Sequence, residues 1–160
     1  MNLRRTAART LATAGLATAV AAFPTTAALA AGGATQVSGL LTPDSAGSCT
    51  AHPTAPAAYV VTGSLAGCWY VDTFVVDNQS EGGTFVSHGT ETFVGCLDTR
   101  CGTFATTYVF TARVVDGVET HGRCHHPVLG GTEGFAGASG EITMKDLPDG
   151  CSTYRGTLRL

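Results

Sequence analysis

From Tyr59 onward the chain consists of runs rich in β-branched and aromatic residues, interrupted at short intervals by glycine or Asp-Gly pairs. Residues of the first kind favour extended strands, and glycine favours the turns between them. Asp116-Gly117 lies between two valine-rich runs and is typical of the tight type I′ turn of a β-hairpin. Apolar residues do not recur at helical spacing over any long stretch. The pattern therefore predicts an all-β domain.

Turn signals divide this region into seven predicted strands, and an eighth is predicted at Thr35 to Leu41. The seven are Ala58 to Leu65, Cys68 to Asp77, Gly83 to Cys96, Gly102 to Val115, Val118 to His125, Ala138 to Asp146 and Ser152 to Leu160. Strands joined in succession by short turns form an up-and-down antiparallel sheet, and closure into a barrel removes its edges. The expected fold is a small antiparallel β-barrel of about eight strands, with a β-sandwich as the alternative.

The first thirty residues differ in composition from the rest. A basic start with Arg4, Arg5 and Arg9 is followed by an apolar run and by Ala28-Leu29-Ala30, a sequence of the kind that signal peptidase cleaves. We expect residues 1–30 to be a secretory signal and the mature protein to be extracellular. A retained membrane anchor is the alternative, but the run is short and alanine-rich for that role.

The prolines that follow the signal predict a loop. Residues 31–57 contain Pro43, Pro53 and Pro56 and are expected to form a flexible N-terminal segment with a proline-rich loop. The barrel domain is expected to occupy residues 58–160.

Charge excludes some classes of partner. The chain after residue 30 carries 12 acidic and six basic residues, a net charge of about −6 with neutral histidine. Nucleic-acid binding and association with anionic membranes are therefore not expected. No cofactor is expected, and the oligomeric state is left open.

Six cysteines follow the predicted signal, and an even number in an exported chain indicates disulfides. Fifteen pairings are formally available for six cysteines. Cys96 and Cys101 flank a short turn and are expected to close a hairpin. Cys124 with Cys151 and Cys49 with Cys68 are the remaining predicted pairs. No Cys-x-x-Cys motif is present, so metal–thiolate binding is not predicted.

A polar cluster occupies the segment from Glu119 to His126. On a strand, alternate residues share a face, so Glu119, His121, Arg123 and His125 form one ionisable row, with Cys124 and His126 opposite. Such a row either faces water or lines a polar cavity, and exposure is the commoner outcome. No metal site is predicted, because residues four apart on a strand are separated by about 13 Å.

Glu91 is the second polar feature, because it lies in a mostly apolar predicted strand and faces away from His88. A carboxylate that points into a barrel needs a partner. Arg123 or His121 is the expected partner, and Glu91, His121 and Arg123 are the candidate catalytic residues. A structural ion pair is the alternative.

Four residues are candidates for lining a ligand site: Phe104, Tyr108, Phe110 and His88. Ordinary core packing is the alternative for the aromatic residues.

The segment Gly130-Gly131-Thr132-Glu133-Gly134-Phe135-Ala136-Gly137-Ala138-Ser139-Gly140 precedes the penultimate predicted strand. It resembles the glycine-rich run at the same place in β-barrels of the allene oxide cyclase and dirigent type, including small secreted actinobacterial proteins with that barrel. The resemblance implies that Phe135 plugs the core and that a ligand or a reactive intermediate is held inside the barrel.

Three functions are compatible with these features. The first is a binding protein that holds an apolar or amphipathic small molecule in the barrel. The second is an isomerase or cyclase that acts through Glu91, His121 and Arg123. The third is an extracellular interaction or inhibitor protein that acts through the loop around His52 and Pro53. The sequence does not decide whether the protein is an enzyme.

Overall fold

The computed structural model describes residues 33–80 and 83–160. The predicted all-β class and the eight-stranded barrel are confirmed, because each strand pairs antiparallel with the next and β8 pairs with β1. A one-turn 3₁₀ helix at Glu133–Phe135 lies between β6 and β7. The strands are β1 (Ala34–Pro43), β2 (Ala57–Gly63), β3 (Leu65–Gln79), β4 (Thr84–Leu97), β5 (Arg100–Val115), β6 (Val118–Gly131), β7 (Ser139–Asp146) and β8 (Ser152–Arg159). The predicted signal at residues 1–30 lies outside the described residues.

The barrel begins earlier than the predicted boundary at residue 58. β1 lies between β2 and β8, and its ladder with β8 extends from Ala34 to Leu41. Without this strand the sheet would have two open edges, so the predicted flexible segment 31–57 contains an essential part of the barrel. Only residues 44–56 form a loop, which the Cys49–Cys68 disulfide and a 2.9 Å contact between His52 Nδ1 and Asp72 Oδ1 attach to β3.

The alternation expected in β5 is present. Phe104, Thr106, Tyr108 and Ala112 are buried inside the barrel, and the residues between them are more exposed. At the end of β5, Asp116 and Gly117 both have positive φ, 51° and 77°, as a type I′ turn requires.

Three phenylalanine rings close one end of the barrel. Phe93 and Phe104 stack with ring centroids 4.8 Å apart, and Phe135 meets them edge-on at 5.8 and 5.2 Å. All three side chains are fully buried. The 3₁₀ helix after β6 brings Phe135 over this end, which confirms its predicted place in the core. The inward-facing side chains at the other end leave open space.

Two of the three predicted disulfides are present, Cys49–Cys68 and Cys96–Cys101. The predicted Cys124–Cys151 bond is wrong in this structure, where both cysteines are free. Cys124 pairs across the ladder with Met144, whereas Cys151 lies in the loop between β7 and β8. Cys151 directly precedes β8, so two strand spacings, one on each side of β7, separate the two cysteines sideways by about 10 Å. This exceeds the Cα separation of about 7 Å that a disulfide spans.

The free cysteines give a direct test of this disulfide pattern. Unfolded, unreduced mature protein should react with a thiol alkylating reagent at two sites, Cys124 and Cys151, and the reduced control at six. In the native protein Cys151 should react first, because Cys124 is buried. Mass spectrometry counts the alkylated thiols, and an unreduced protein with no reactive thiol would contradict the structure.

A second test concerns the closed end. Phe135→Ala should lower the free energy of unfolding by about 3–5 kcal/mol, because it leaves a cavity among fully buried rings. The matched control is Leu129→Ala on β6, whose side chain is 63% exposed and which should change stability by less than about 0.5 kcal/mol. Urea unfolding measures both. Equal effects of the two variants would show that Phe135 is not a core residue.

Candidate functional site

A cavity of about 340 Å³ occupies the end of the barrel opposite the three phenylalanine rings. Its walls are mostly apolar and aromatic, and its serine, histidine and acidic side chains come from four strands, β4, β6, β7 and β8. The lining side chains include Tyr59, Trp69, Phe74, Ser87, Glu91, Tyr108, Phe110, Glu119, Cys124, His126, Met144, Asp146 and Ser152. The strands meet around one lumen, so residues far apart in the sequence share this space.

Glu91 on β4 is the buried carboxylate of the cavity. Trp69 Nε1 donates a 2.7 Å hydrogen bond to Glu91 Oε2, and His126 Nε2 lies 3.0 Å from the same oxygen. The side chains of His126 and Glu91 are only 1% and 8% exposed. Because both contacts use Oε2, the other carboxylate oxygen is the one available to a ligand.

The hydrogen bonds of His126 determine where its protons lie. Nδ1 is 3.3 Å from the carbonyl oxygen of Ile142, which only accepts, so Nδ1 carries a proton. One further proton is then shared between Nε2 and Glu91 Oε2, either on the imidazole or on the carboxyl group. Trp69 packs edge-on against the imidazole with centroids 5.4 Å apart and restricts its orientation. The 3.0 Å contact is therefore a hydrogen bond between the imidazole of His126 and the carboxyl group of Glu91.

Tyr108 stands beside this pair. Its ring packs over the backbone of Gly89, where a side chain would collide with it, and its hydroxyl donates to the Thr73 carbonyl oxygen at 3.3 Å. Burial, with a smaller effect of Glu91, raises the pKa of Tyr108 to about 12. Ser87 opposes this rise, although its fully buried hydroxyl makes no hydrogen bond of standard geometry. The Ser87 hydroxyl therefore borders the cavity beside Tyr108 without a well-formed hydrogen bond.

The mouth of the cavity carries two carboxylates, Glu119 from β6 and Asp146 from β7. Their oxygens lie over Gly122, where any side chain would occupy the same space. Ser152 Oγ donates a 2.5 Å hydrogen bond to Asp146 Oδ1. The absence of a side chain at Gly122 lets the two acidic groups approach each other at the entrance.

Cys124 lines the same cavity as a free thiol. Burial, followed by the nearby Glu91 and Asp146, raises the pKa of the Cys124 thiol well above its usual value. A thiol with a raised pKa stays protonated at neutral pH and is a poor nucleophile. We therefore assign Cys124 to the cavity wall.

Of the predicted catalytic residues, the structure places only Glu91 in the cavity. His121 and Arg123 lie on the outer face of β6, exposed, so their predicted convergence with Glu91 is wrong. The expected exposure of His121, Arg123 and His125 is confirmed. The partner of Glu91 is His126, which faces inward because it alternates with these residues. Glu119, predicted on the same row, instead lines the mouth of the cavity, because a register shift between His121 and Glu119 interrupts the alternation.

The predicted ligand-lining residues are also divided. Tyr108 and Phe110 line the cavity, as expected. Phe104 belongs instead to the aromatic cluster at the closed end. His88 is exposed on the outer face of β4, where its Nδ1 lies 2.7 Å from Asp77 Oδ2, so its predicted place in the cavity is wrong. His88 and Glu91 do face opposite ways, as their spacing predicted.

Sequence reasoning missed Trp69, His126 and the pair Glu119–Asp146. The signal for His126 was its shared parity with Cys124, which was expected to be buried. No local sequence pattern places Asp146 near Glu119. The two meet only because the register between β6 and β7 brings the end of β7 beside the start of β6. Among the described residues, no group of three or more His, Cys, Asp or Glu side chains is arranged to hold a metal ion.

No family model matches the chain, and no curated protein is significantly similar to it. The resemblance of the Gly130–Gly140 segment to the allene oxide cyclase and dirigent type therefore stays a prediction. In the part of the chain that the structure describes, no helix has the length and apolarity needed to span a bilayer.

Burial should make the Glu91–His126 contact much stronger than a matched surface pair. His125 Nδ1 and Glu141 Oε1 lie at the same distance, 3.0 Å, but the two side chains are 63% and 59% exposed. Alanine double-mutant cycles should give a coupling free energy of at least about 2 kcal/mol for Glu91–His126 and less than about 1 kcal/mol for Glu141–His125. Urea unfolding of the wild type, the four single variants and the two double variants measures both values, and similar couplings would show that Glu91 and His126 do not interact as described.

Proposed function

We propose that this protein is a secreted β-barrel that binds an apolar or amphipathic small molecule in its interior. The observation that carries the proposal is the cavity at the open end of the barrel. Its volume of about 340 Å³ is within the range of small-molecule sites, about 300–1,000 Å³. Its aromatic and aliphatic walls would contact an apolar body, and its few polar groups would orient a polar end.

The walls are suited to an apolar ligand because they have aromatic faces at several depths. Phe74 on β3 is 52% exposed although it faces inward near the mouth. Phe85 on β4 continues this surface, with its ring centroid 6.4 Å from Phe74 and 6.1 Å from Phe110. Covering such rings with a ligand would remove apolar area from water, which favours binding.

Secretion is part of the proposal. Two disulfides are consistent with an oxidising compartment. The basic, alanine-rich start of the chain, with its Ala28-Leu29-Ala30 sequence, is typical of an export signal. The open cavity counts against the interaction-protein alternative, which requires a filled barrel and activity in the loop around His52 and Pro53.

Isomerase or cyclase activity is the second candidate, now through Glu91 and His126. The observation that favours it is the 3.0 Å contact between Glu91 Oε2 and His126 Nε2 at the cavity wall. An isomerisation takes a proton from one ligand atom and returns one to another, so such a pair would serve without a cofactor. If the protein is an enzyme, Glu91→Gln should abolish turnover of its substrate. If it only binds a ligand, the same variant should retain that ligand.

The binding proposal can be tested with a variant that fills the cavity. Native mass spectrometry of the mature protein from its own culture medium should show an added mass that a denatured control lacks. Cys124→Phe should lose this mass, because the side chain enters the cavity. His125→Phe on the neighbouring outer position should keep it.

Thermal unfolding of both variants separates loss of ligand from loss of fold. Ala57→Leu at the cavity wall is the smaller substitution to use if Cys124→Phe does not fold. A native mass equal to that of the polypeptide alone, in wild type and in His125→Phe, would contradict the proposal.

A further inference from the structure

We infer that the ligand of the barrel carries a positively charged amine, which Glu119 and Asp146 hold at the mouth of the cavity. This inference rests on the proposed binding function and specifies the ligand's charge. The cavity has an apolar body and an acidic entrance, so the complementary molecule is a small amphipathic amine.

The geometry of the entrance is the first observation. Glu119 and Asp146 come from adjacent strands, and both point to the cavity side over the bare backbone of Gly122. Two carboxylates in one place repel each other unless a proton or a cation lies between them. Ser152 supplies one hydroxyl donor to Asp146. Among the described residues, no Lys, Arg or His side chain forms an ion pair with either carboxylate.

The protonation of Glu119 and Asp146 is consistent with a site for a bound cation. Although Glu119 is exposed as a whole, the partial burial of its carboxyl group raises its pKa to about 7, and the adjacent Asp146 adds to the rise. Near neutral pH a proton therefore occupies the position between the two groups for part of the time. A bound ammonium group would replace that proton and satisfy both carboxylates with charge-assisted hydrogen bonds.

Other charged groups around the mouth do not neutralise the pair. Tyr59 from β2 and the protonated thiol of Cys124 face it from inside, and Glu91 with His126 lies deeper. Arg123 and Lys145 pair across β6 and β7 on the outer face, where both are exposed. The entrance is thus acidic on its inner side, and the nearest basic residues of these strands point away from it.

The buried Ser87 hydroxyl is the second, independent observation. It is fully buried, makes no hydrogen bond of standard geometry and borders the same cavity. By strand register Ser87 is level with Phe110 and Cys124, one inward-facing layer below Gly122, or about 7 Å along the strands. A buried polar group without a partner costs free energy that a ligand atom would recover.

An organic amine fits better than a metal ion. Two carboxylates and one hydroxyl are few ligands for Ca²⁺, which takes six to eight oxygens. The walls below the entrance are aromatic, and Tyr59 and Phe110 are among them. Such walls stabilise the apolar part of an amphipathic ligand and offer nothing to a hydrated ion.

The test uses Trp69, the single tryptophan of the chain, whose side chain lines the cavity. Its fluorescence reports binding of three probes of similar shape: 2-phenylethylamine, 2-phenylethanol and phenylacetate. The amine should bind about tenfold tighter than the alcohol, and phenylacetate should bind more weakly than both. Glu119→Gln and Asp146→Asn should each lower the affinity for the amine towards that for the alcohol and leave alcohol binding unchanged. Glu141→Gln, on the outer face of β7, is the matched control and should change neither.

Affinity for the amine should also rise between pH 6 and pH 8, because Glu119 loses its proton across a pKa of about 7 while the amine stays charged. Alcohol binding should not change, and Glu119→Gln should remove the pH dependence. Equal binding of amine and alcohol by the wild type would overturn the inferred charge and leave the cavity function standing. No fluorescence response to any probe, in folded protein, would overturn both.

Discussion

The ladder between β1 and β8 is the constraint on which the rest of the structure depends. Once it forms, eight strands enclose a lumen of fixed size, and every inward side chain must be accommodated there. Phe93, Phe104 and Phe135 fill one end, and the side chains at the other end leave a cavity, with bare backbone at Gly122 under its mouth. Barrel closure therefore both protects the sheet edges and creates the candidate site.

A buried carboxylate persists inside this lumen because its neighbours supply hydrogen bonds. Trp69 and His126 both reach one oxygen of Glu91, and the Ile142 carbonyl fixes the imidazole from its other side. Without Glu91, the buried Trp69 Nε1–H would lose its acceptor and His126 Nε2 its partner, which is costly in a low-dielectric interior. Within this network, Glu91 and His126 share a hydrogen bond in the cavity wall. The pair of acidic groups, Glu119 and Asp146, lies instead at the solvent-facing mouth.

Much of the fold was predictable because the strand signal is local. Alternation placed Tyr108 inside, and the short turn between Cys96 and Cys101 indicated their disulfide. The candidate site was predictable only in part. Glu91 was identified, but its partner was not, since β5 lies between β4 and β6 and the contact with His126 reaches over it. The predicted pairing of Cys124 failed for a related reason, because strand offset separates it from Cys151.

The sequence by itself determined the strands, their turns and which side chains of a regular strand share a face, because alternation has a period of two and depends on near neighbours alone. Only the tertiary structure decided which inward faces meet across the lumen. That outcome depends on the register of all eight ladders together, and a shift of two residues in one strand would keep every face and change every contact. The partnership of Glu91 with His126, and of Glu119 with Asp146, was decided at that level.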